Sequence, residues 1–143
     1  MRYSASIQNT NATINQPAIE IIPPLNKVIR IVSIRATVTN AVFAPFSVGR
    51  TVIQGTPSAV IRGEAYPVIG SPSIKSGTTI AGAWTISPAA PSTHLAYLFV
   101  AGSVGASYDW RPSQPVAVST SFVIWNLAPT TTATGFTIEW DED

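Results

Sequence analysis

The chain has 143 residues, enough for one domain with a real core; 45% of them are hydrophobic and only 10% charged, against about 25% charged in an ordinary soluble domain. A net charge of +1 gives no general electrostatic case for nucleic-acid binding, and zero cysteines exclude a disulfide-stapled fold, thiol catalysis and cysteine-type zinc sites. No run reaches the ~18 apolar residues of a membrane span, and residues 1–10 (MRYSASIQNT) lack the apolar core of a signal peptide, so a soluble protein made inside the cell is expected. On that view the sequon Asn11-Ala12-Thr13 is a chance match.

Twelve prolines and frequent Ser/Thr/Gly clusters cut the chain into short pieces, and no window of about ten residues carries a helical period. Residues 2–9 alternate Tyr3, Ala5 and Ile7 with Ser4, Ser6 and Gln8. They read either as an edge strand of the domain or as an arm reaching a neighbouring subunit, so residues 1–17 are set apart from a domain spanning 18–143. A short apolar strand at 18–22 is stopped by Pro23-Pro24 and turned at Leu25-Asn26. The strongest strand follows at 27–39 (KVIRIVSIRATVT), rich in the β-branched residues that suit a sheet centre. Unbroken alternation there would put Arg30 and Arg35 on opposite faces, so one of them requires a carboxylate partner or a β-bulge.

Residues 40–47 (NAVFAPFS) read as a bend displaying Phe43 and Phe46, and 48–54 as a returning strand. Residues 58–79 form a proline- and glycine-punctuated excursion without a clear assignment. Strands are expected at 79–86, 94–101 and 115–118, with Tyr108-Asp109-Trp110-Arg111 beside turns. The chain closes on residues 121–143 (SFVIWNLAPTTTATGFTIEWDED), which read as a hairpin. Phe136, Ile138 and Trp140 lie on one face of its second strand, and Asp141, Glu142 and Asp143 lead to solvent or to a basic partner. About eight short strands separated by turn signals predict an all-β, single-domain β-sandwich of jelly-roll type.

Catalytic groups are sparse. His94 is the only histidine and opens an apolar strand, where a structural role is favoured over general-base work. No Gly-x-Ser-x-Gly elbow, facing carboxylate pair, calcium loop or phosphate-binding glycine loop is present. Neither an enzyme nor a cofactor or metal site is expected. Tyr108, Trp110 and Arg111 are the best candidates for a glycan contact. The bland alternative is that Trp110 plugs the sandwich and Asp109 pairs locally with Arg111.

The low charge fits either a neutral hydroxyl-rich surface or a surface covered by sister subunits, and the second is favoured. Residues 76–108 contain no Asp, Glu, Lys or Arg at all. Beyond Lys75 the one basic residue, Arg111, faces five acids, a polarity suited to ordered subunit contacts.

The succession PPLNKVIRIVSI, VGRT, YDWRP, SFVIWNLAP and FTIEWDED resembles a group of small virion proteins of tailed bacteriophages. The resemblance runs over most of the chain from Ala18 onward. It implies a capsid decoration (cement) protein: a β-sandwich homotrimer on the outer shell of the virion, made in the host cytoplasm, with the major capsid protein as partner and no direct contact with nucleic acid or membrane. No site residue transfers from the family. On the sequence itself, candidate capsid contacts are Arg2 and Tyr3 in the first segment and Phe43, Phe46 and Arg50 in the bend; Trp125 and Trp140 are candidate subunit contacts. A tail or head–tail connector protein, or a host-glycan-binding module, would use the same architecture.

Overall fold

A computed structural model of the chain describes residues 1–65, 74–129 and 131–142, with the side chains of 10–12 excepted. Among the described residues there are eleven strands and no helix: β1 (Arg2–Ala12), β2 (Gln16–Ile22), β3 (Ile29–Val38), β4 (Ala44–Arg50), β5 (Thr56–Ala65), β6 (Lys75–Ile86), β7 (Ala96–Val100), β8 (Ser107–Trp110), β9 (Val116–Val118), β10 (Phe122–Asn126) and β11 (Thr132–Glu142). All pair antiparallel in one sheet, in the order β7-β4-β10-β2-β6-β5-β1-β11-β3-β8, with β9 also on β3. The all-β class is as expected. The two-sheet jelly roll of about eight strands is not: a single eleven-stranded sheet curls on itself until Cα atoms of β7 and β8, at its two ends, come within 8 Å without forming a ladder.

The concave side of that curl is the core. Ile19, Ile21, Ile31, Ile34, Phe122, Ile124, Ile138 and Trp140 are fully buried there. Phe46 of β4 meets Phe136 of β11 edge to face with ring centres 5.2 Å apart. These strands stand far apart in the sheet order, so this contact is what closes one half of the curl over the other.

Strand β3 resolves its own arginine conflict. Its ladder with β11 shifts register between Glu139 and Trp140, opposite the step from Ser33 to Ile31. A bulge of this kind inserts one residue and flips the alternation. Ile29 and Ile31 on one side of it, and Ile34, Ala36 and Val38 on the other, all turn inward, while Arg30 and Arg35 are both exposed. The bulge frees the core of charge.

Three expectations about strand order are corrected. Residues 121–143 are not a hairpin: β10 lies between β4 and β2, and β11 between β1 and β3. Their intrinsic patterns were sound, but each found better partners elsewhere along the chain. Residues 40–47 are not a plain bend, because β4 begins at Ala44 and carries Phe46 inward. Pro45 is tolerated as the second residue of the strand, where its missing N–H costs one ladder bond at most. The uncertain stretch 58–79 contains most of β5 and the start of β6, which pair with each other along their length; residues 66–73 lie outside the described set. Segment 1–17 holds β1, which is an interior strand flanked by β11 and by β5 rather than an edge or an arm.

Part of the convex side is covered as well. Residues Thr51 to Gly55 and the segment 87–93 fold over β2, β4 and β10. A side chain at Gly49 would collide with the Thr93 carbonyl and sit 2.9 Å from Pro91, which is why only glycine fits beneath this flap. Under it lies Glu20, fully buried although it points away from the core. Its carboxyl group accepts the Trp84 indole N–H (2.9 Å), the Gly55 backbone N–H (3.0 Å) and the Ser121 hydroxyl (2.5 Å). Three segments distant in sequence are thereby tied to one side chain, and the cost of burying it is offset by donors on both oxygens.

Candidate functional site

Beside the flap the convex side is bare. Strand β7 turns Leu98 and Val100 into the core, so Tyr97 and Phe99 stand outward, 48% and 55% exposed. Across the β4 ladder they oppose Ser47 and Pro45, both buried. Four aromatic rings form a row here. His94 and Tyr97 are 5.6 Å apart, Tyr97 and Phe99 5.9 Å, and Phe99 and Phe43 6.2 Å, with interplanar angles of 24°, 3° and 20°. Leu95 at 39% exposure adjoins them.

Phe43 is held in the row by backbone apposition. A Cβ on Gly102 would come to 2.9 Å of the Phe43 nitrogen, so the turn after β7 can lie against residues 42–43 only because residue 102 is glycine.

Parallel rings with centres 5.9 Å apart cannot lie side by side in one plane, because their hydrogens would collide. They must be offset along their normals, as aromatic pairs prefer. The row therefore offers an exposed apolar surface.

The residues singled out in the sequence are scattered. Of the five capsid-contact candidates, Phe43 belongs to the aromatic row. Arg50 is exposed and donates from Nε to the Ala117 carbonyl at 2.7 Å. Two are corrected by burial: Tyr3 stacks on Trp140 with centres 6.2 Å apart, and Phe46 is fully enclosed. Neither side chain can meet a partner surface. Arg2 is exposed but engaged by Asp141 of its own chain, with Nε–Oδ1 at 2.9 Å and Nη2–Oδ2 at 3.1 Å. Arg2 and Phe43 also sit at opposite ends of the strands, so these residues make no common patch.

Trp140 is fully buried, which removes it as a subunit contact, while Trp125 is half-buried on β10. In the glycan set, Trp110 stacks on Phe122 at 6.2 Å and Arg111 pairs with Asp109 at 3.1 Å. Tyr108 alone of the three is free at the surface, 40% exposed. The local plug and pair account for the motif.

The acidic tail does not run free to a partner. Asp141 is held below the ordinary carboxylate range chiefly by its hydrogen bond with Arg2, against a smaller opposing effect of burial. Burial pushes Glu142 up, but hydrogen bonds from Ser76, Thr78 and the Trp140 indole outweigh it and leave the group lowered. The Thr78 hydroxyl donates at 2.6 Å and Trp140 Nε1 at 3.1 Å, with Ser76 also on the same oxygen. The N-terminal ammonium donates to the Glu142 carbonyl at 2.8 Å, so both ends of the chain are stitched into β11. Asp143 lies outside the described residues.

His94 has a ring partner, Tyr97, rather than a carboxylate in the same row. Among the described residues no group of three or more His, Asp or Glu side chains is placed to hold a metal ion. What the surface offers chemically is apolar area.

Sequence reasoning found Phe43 and read His94 as structural, but passed over Tyr97 and Phe99, because a strand with two apolar faces looks wholly buried. The signal was present in residues 96–100, where Tyr97 and Phe99 alternate with Ala96, Leu98 and Val100. Comparison with known proteins finds no family model matching this chain and no curated protein similar to it in sequence.

Proposed function

We propose that this chain is a structural virion protein, a capsid decoration (cement) protein that binds the outer shell as a homotrimer and stabilises it. The observation that supports this best is the exposed aromatic row at β7, three of whose four rings (His94, Tyr97 and Phe99) lie in a stretch of chain without a single Asp, Glu, Lys or Arg. An uncharged, contiguous apolar surface on a firmly built sheet suits permanent assembly. The succession of strand motifs that resembles small tailed-phage virion proteins points the same way.

The mechanism is burial. Each contact removes apolar surface from water at ~25 cal/mol per Å². Repetition by symmetry and multivalent docking then make release slow even where a single contact is modest. Arg50 and the 40–43 segment remain accessible for the shell.

Electron microscopy of intact particles tests the reading. Hundreds of copies on the shell, and a lower inactivation temperature after stripping them, are expected. A ring of a few copies at a tail vertex would replace the cement role with a connector role, and particles lacking the chain altogether would end the virion reading.

A further inference from the structure

Strands β1 and β2 follow one another through the turn at residues 13–15, yet they share no ladder. The space between them, closed on one side by β6, is a cavity of about 360 Å³, within the ~300–1,000 Å³ range of small-molecule sites. Gln8, Asn9, Gln16, Trp84 and Ser87 are among its lining, and none of the described residues that line it carries a charge.

Polar groups without partners flank this cavity on both sides. Thr134 of β11 lies directly opposite Asn9 of β1, and Asn126 of β10 directly opposite Gln16 of β2. Thr132 and Thr134 share the inward face of Phe136 and Ile138, and Asn126 shares that of Phe122 and Ile124. Phe46, opposite Asn126 on β4, touches Phe136, which brings Asn126 and Thr134 toward each other across the interior. All three polar side chains are exposed by 1% or less. Asn126 Nδ2, Thr132 Oγ1 and Thr134 Oγ1 have no hydrogen-bond partner among the described residues, a cost that native structures rarely leave unmet.

The chemistry of the lining selects a ligand class. A charged ligand would find no counter-charge. A hydrocarbon would leave Asn126 Nδ2, which can only donate, still unpaired. Neutral hydroxyls accept from that amide and either give to or accept from the two threonines. Trp84 supplies the apolar part. Its Nε1 donates to the buried Glu20 at 2.9 Å, and a Cβ on Gly55 would come to 2.8 Å of its Cδ1, so the ring is fixed before a ligand arrives.

We propose that the cavity between β1, β2 and β6 binds a neutral pyranose sugar, its C–H face on Trp84 and its hydroxyls on Gln16 and the inner Asn126–Thr134 pair. The site does not rest on the virion role proposed above.

Titration of the full chain with methyl glycosides of glucose, galactose and N-acetylglucosamine tests this. It is read from the Trp84 indole N–H resonance and from saturation transfer to the sugar, at up to ~10 mM for a Kd near ~1 mM. At least one glycoside should bind saturably, and its uronide, which adds a carboxylate, about tenfold more weakly. Thr134→Val replaces an unpartnered hydroxyl with a methyl of the same shape. It should weaken binding about tenfold while its urea midpoint stays equal or rises. Gln16→Ala, at an exposed position, should fold normally and weaken binding to a similar degree. Tyr108→Ala, on β8, should bind as the wild type does. An oligosaccharide array then separates a site for one free sugar from a site for the same sugar within a glycan chain.

No saturable binding of any glycoside, free or arrayed, would overturn the proposal. So would binding that survives both Thr134→Val and Gln16→Ala, or binding lost in Tyr108→Ala alone. A Thr134→Val variant that loses stability while its sugar binding is unchanged would mean that the inner polar groups hold ordered water only, and it too would overturn the proposal. A chain that binds sugar but no capsid shell sinks the virion reading alone, and one that decorates shells without binding sugar sinks this site alone.

Discussion

Strands β7 and β11 carry the same written pattern and meet opposite fates. Each sets bulky residues at every second position, Tyr97 and Phe99 in one, Phe136, Ile138 and Trp140 in the other. In β11 that set is buried; in β7 it faces solvent. The difference lies in the alternate positions. Those of β11 are Gly135, Thr137, Glu139 and Asp141, which cannot fill a core, so the aromatic face must turn inward. Those of β7 are Ala96, Leu98 and Val100, which fill a core well. The sheet took the aliphatic set and left the aromatic one outside. Period-two alternation fixes that a strand has two faces, and the weaker face decides which of them is buried.

The sharpest way to break this comparison is to truncate one aromatic on each strand. Trp140→Ala removes a fully enclosed ring that stacks on Tyr3 and fills the space above Gly63, where any Cβ would collide with it. The expected loss is about 3–5 kcal/mol of unfolding free energy, a large share of the ~5–15 kcal/mol that a domain has. Phe99→Ala, of similar chemistry but 55% exposed, should change the stability of the monomer by less than about 0.5 kcal/mol. Urea unfolding of both variants measures the contrast, and equal losses would show that the row is part of the core.

The same strands explain how much was legible beforehand. Strand-forming segments were largely readable, since β-branched runs and turn residues are local signals. The turn after β2 is an example: Lys27 N–H bonds the Pro24 carbonyl at 3.1 Å and Asn26 takes a positive φ of 60°, as Pro-Pro-Leu-Asn suggests. That Arg30 and Arg35 required either a carboxylate partner or a bulge was likewise readable, because of the desolvation cost of a buried guanidinium; which of the two was not. Pairing was not. Strand β1 lies against β11 across nearly the whole chain, from Arg2 opposite Asp141 to Ala12 opposite Thr132, and nothing local announces such a partner. The acidic tail was misread for the same reason: Arg2, Ser76 and Thr78, which receive it, are distant in sequence. The aromatic row needed both pieces of information, the parity of β7 and the exposure that the rest of the described residues leave it.

Glu20 supplies the intermediate case, an outward residue that the chain does cover. Glu20→Ala leaves the Trp84 indole, the Gly55 N–H and the Ser121 hydroxyl without their acceptor, at an expected cost of about 1–3 kcal/mol. The loss should concentrate in the flap. Hydrogen exchange at Gly55 should accelerate well before that of β11 amides such as Ile138, separating local opening from global unfolding. Uniform acceleration would show that the flap and the core open as one unit, and the distinction between covered and bare convex surface would lose its energetic meaning.

The smallest expected effect is electrostatic and belongs to the β11 end alone. Asp141 and Glu142 both titrate below their ordinary values of 3.8 and 4.5 in the folded chain. The unfolded chain therefore binds more protons as pH falls, so the stabilisation is complete above about pH 5 and is lost as pH drops through 4.5 and 3.8 toward the folded values. The Arg2–Asp141 pair is partly exposed, which limits its share to about 0.2–1 kcal/mol. Urea midpoints measured from pH 6 to pH 3 should decline for the wild type. They should decline less steeply for Arg2→Ala, where Asp141 reverts toward its ordinary value, and for Glu142→Gln, where no carboxyl group remains to take up a proton. Both variants begin from a slightly lower midpoint at pH 6, and the curves draw together as pH falls. Parallel curves would mean that the clasp at the chain ends contributes nothing, and that β11 is held by its buried face alone.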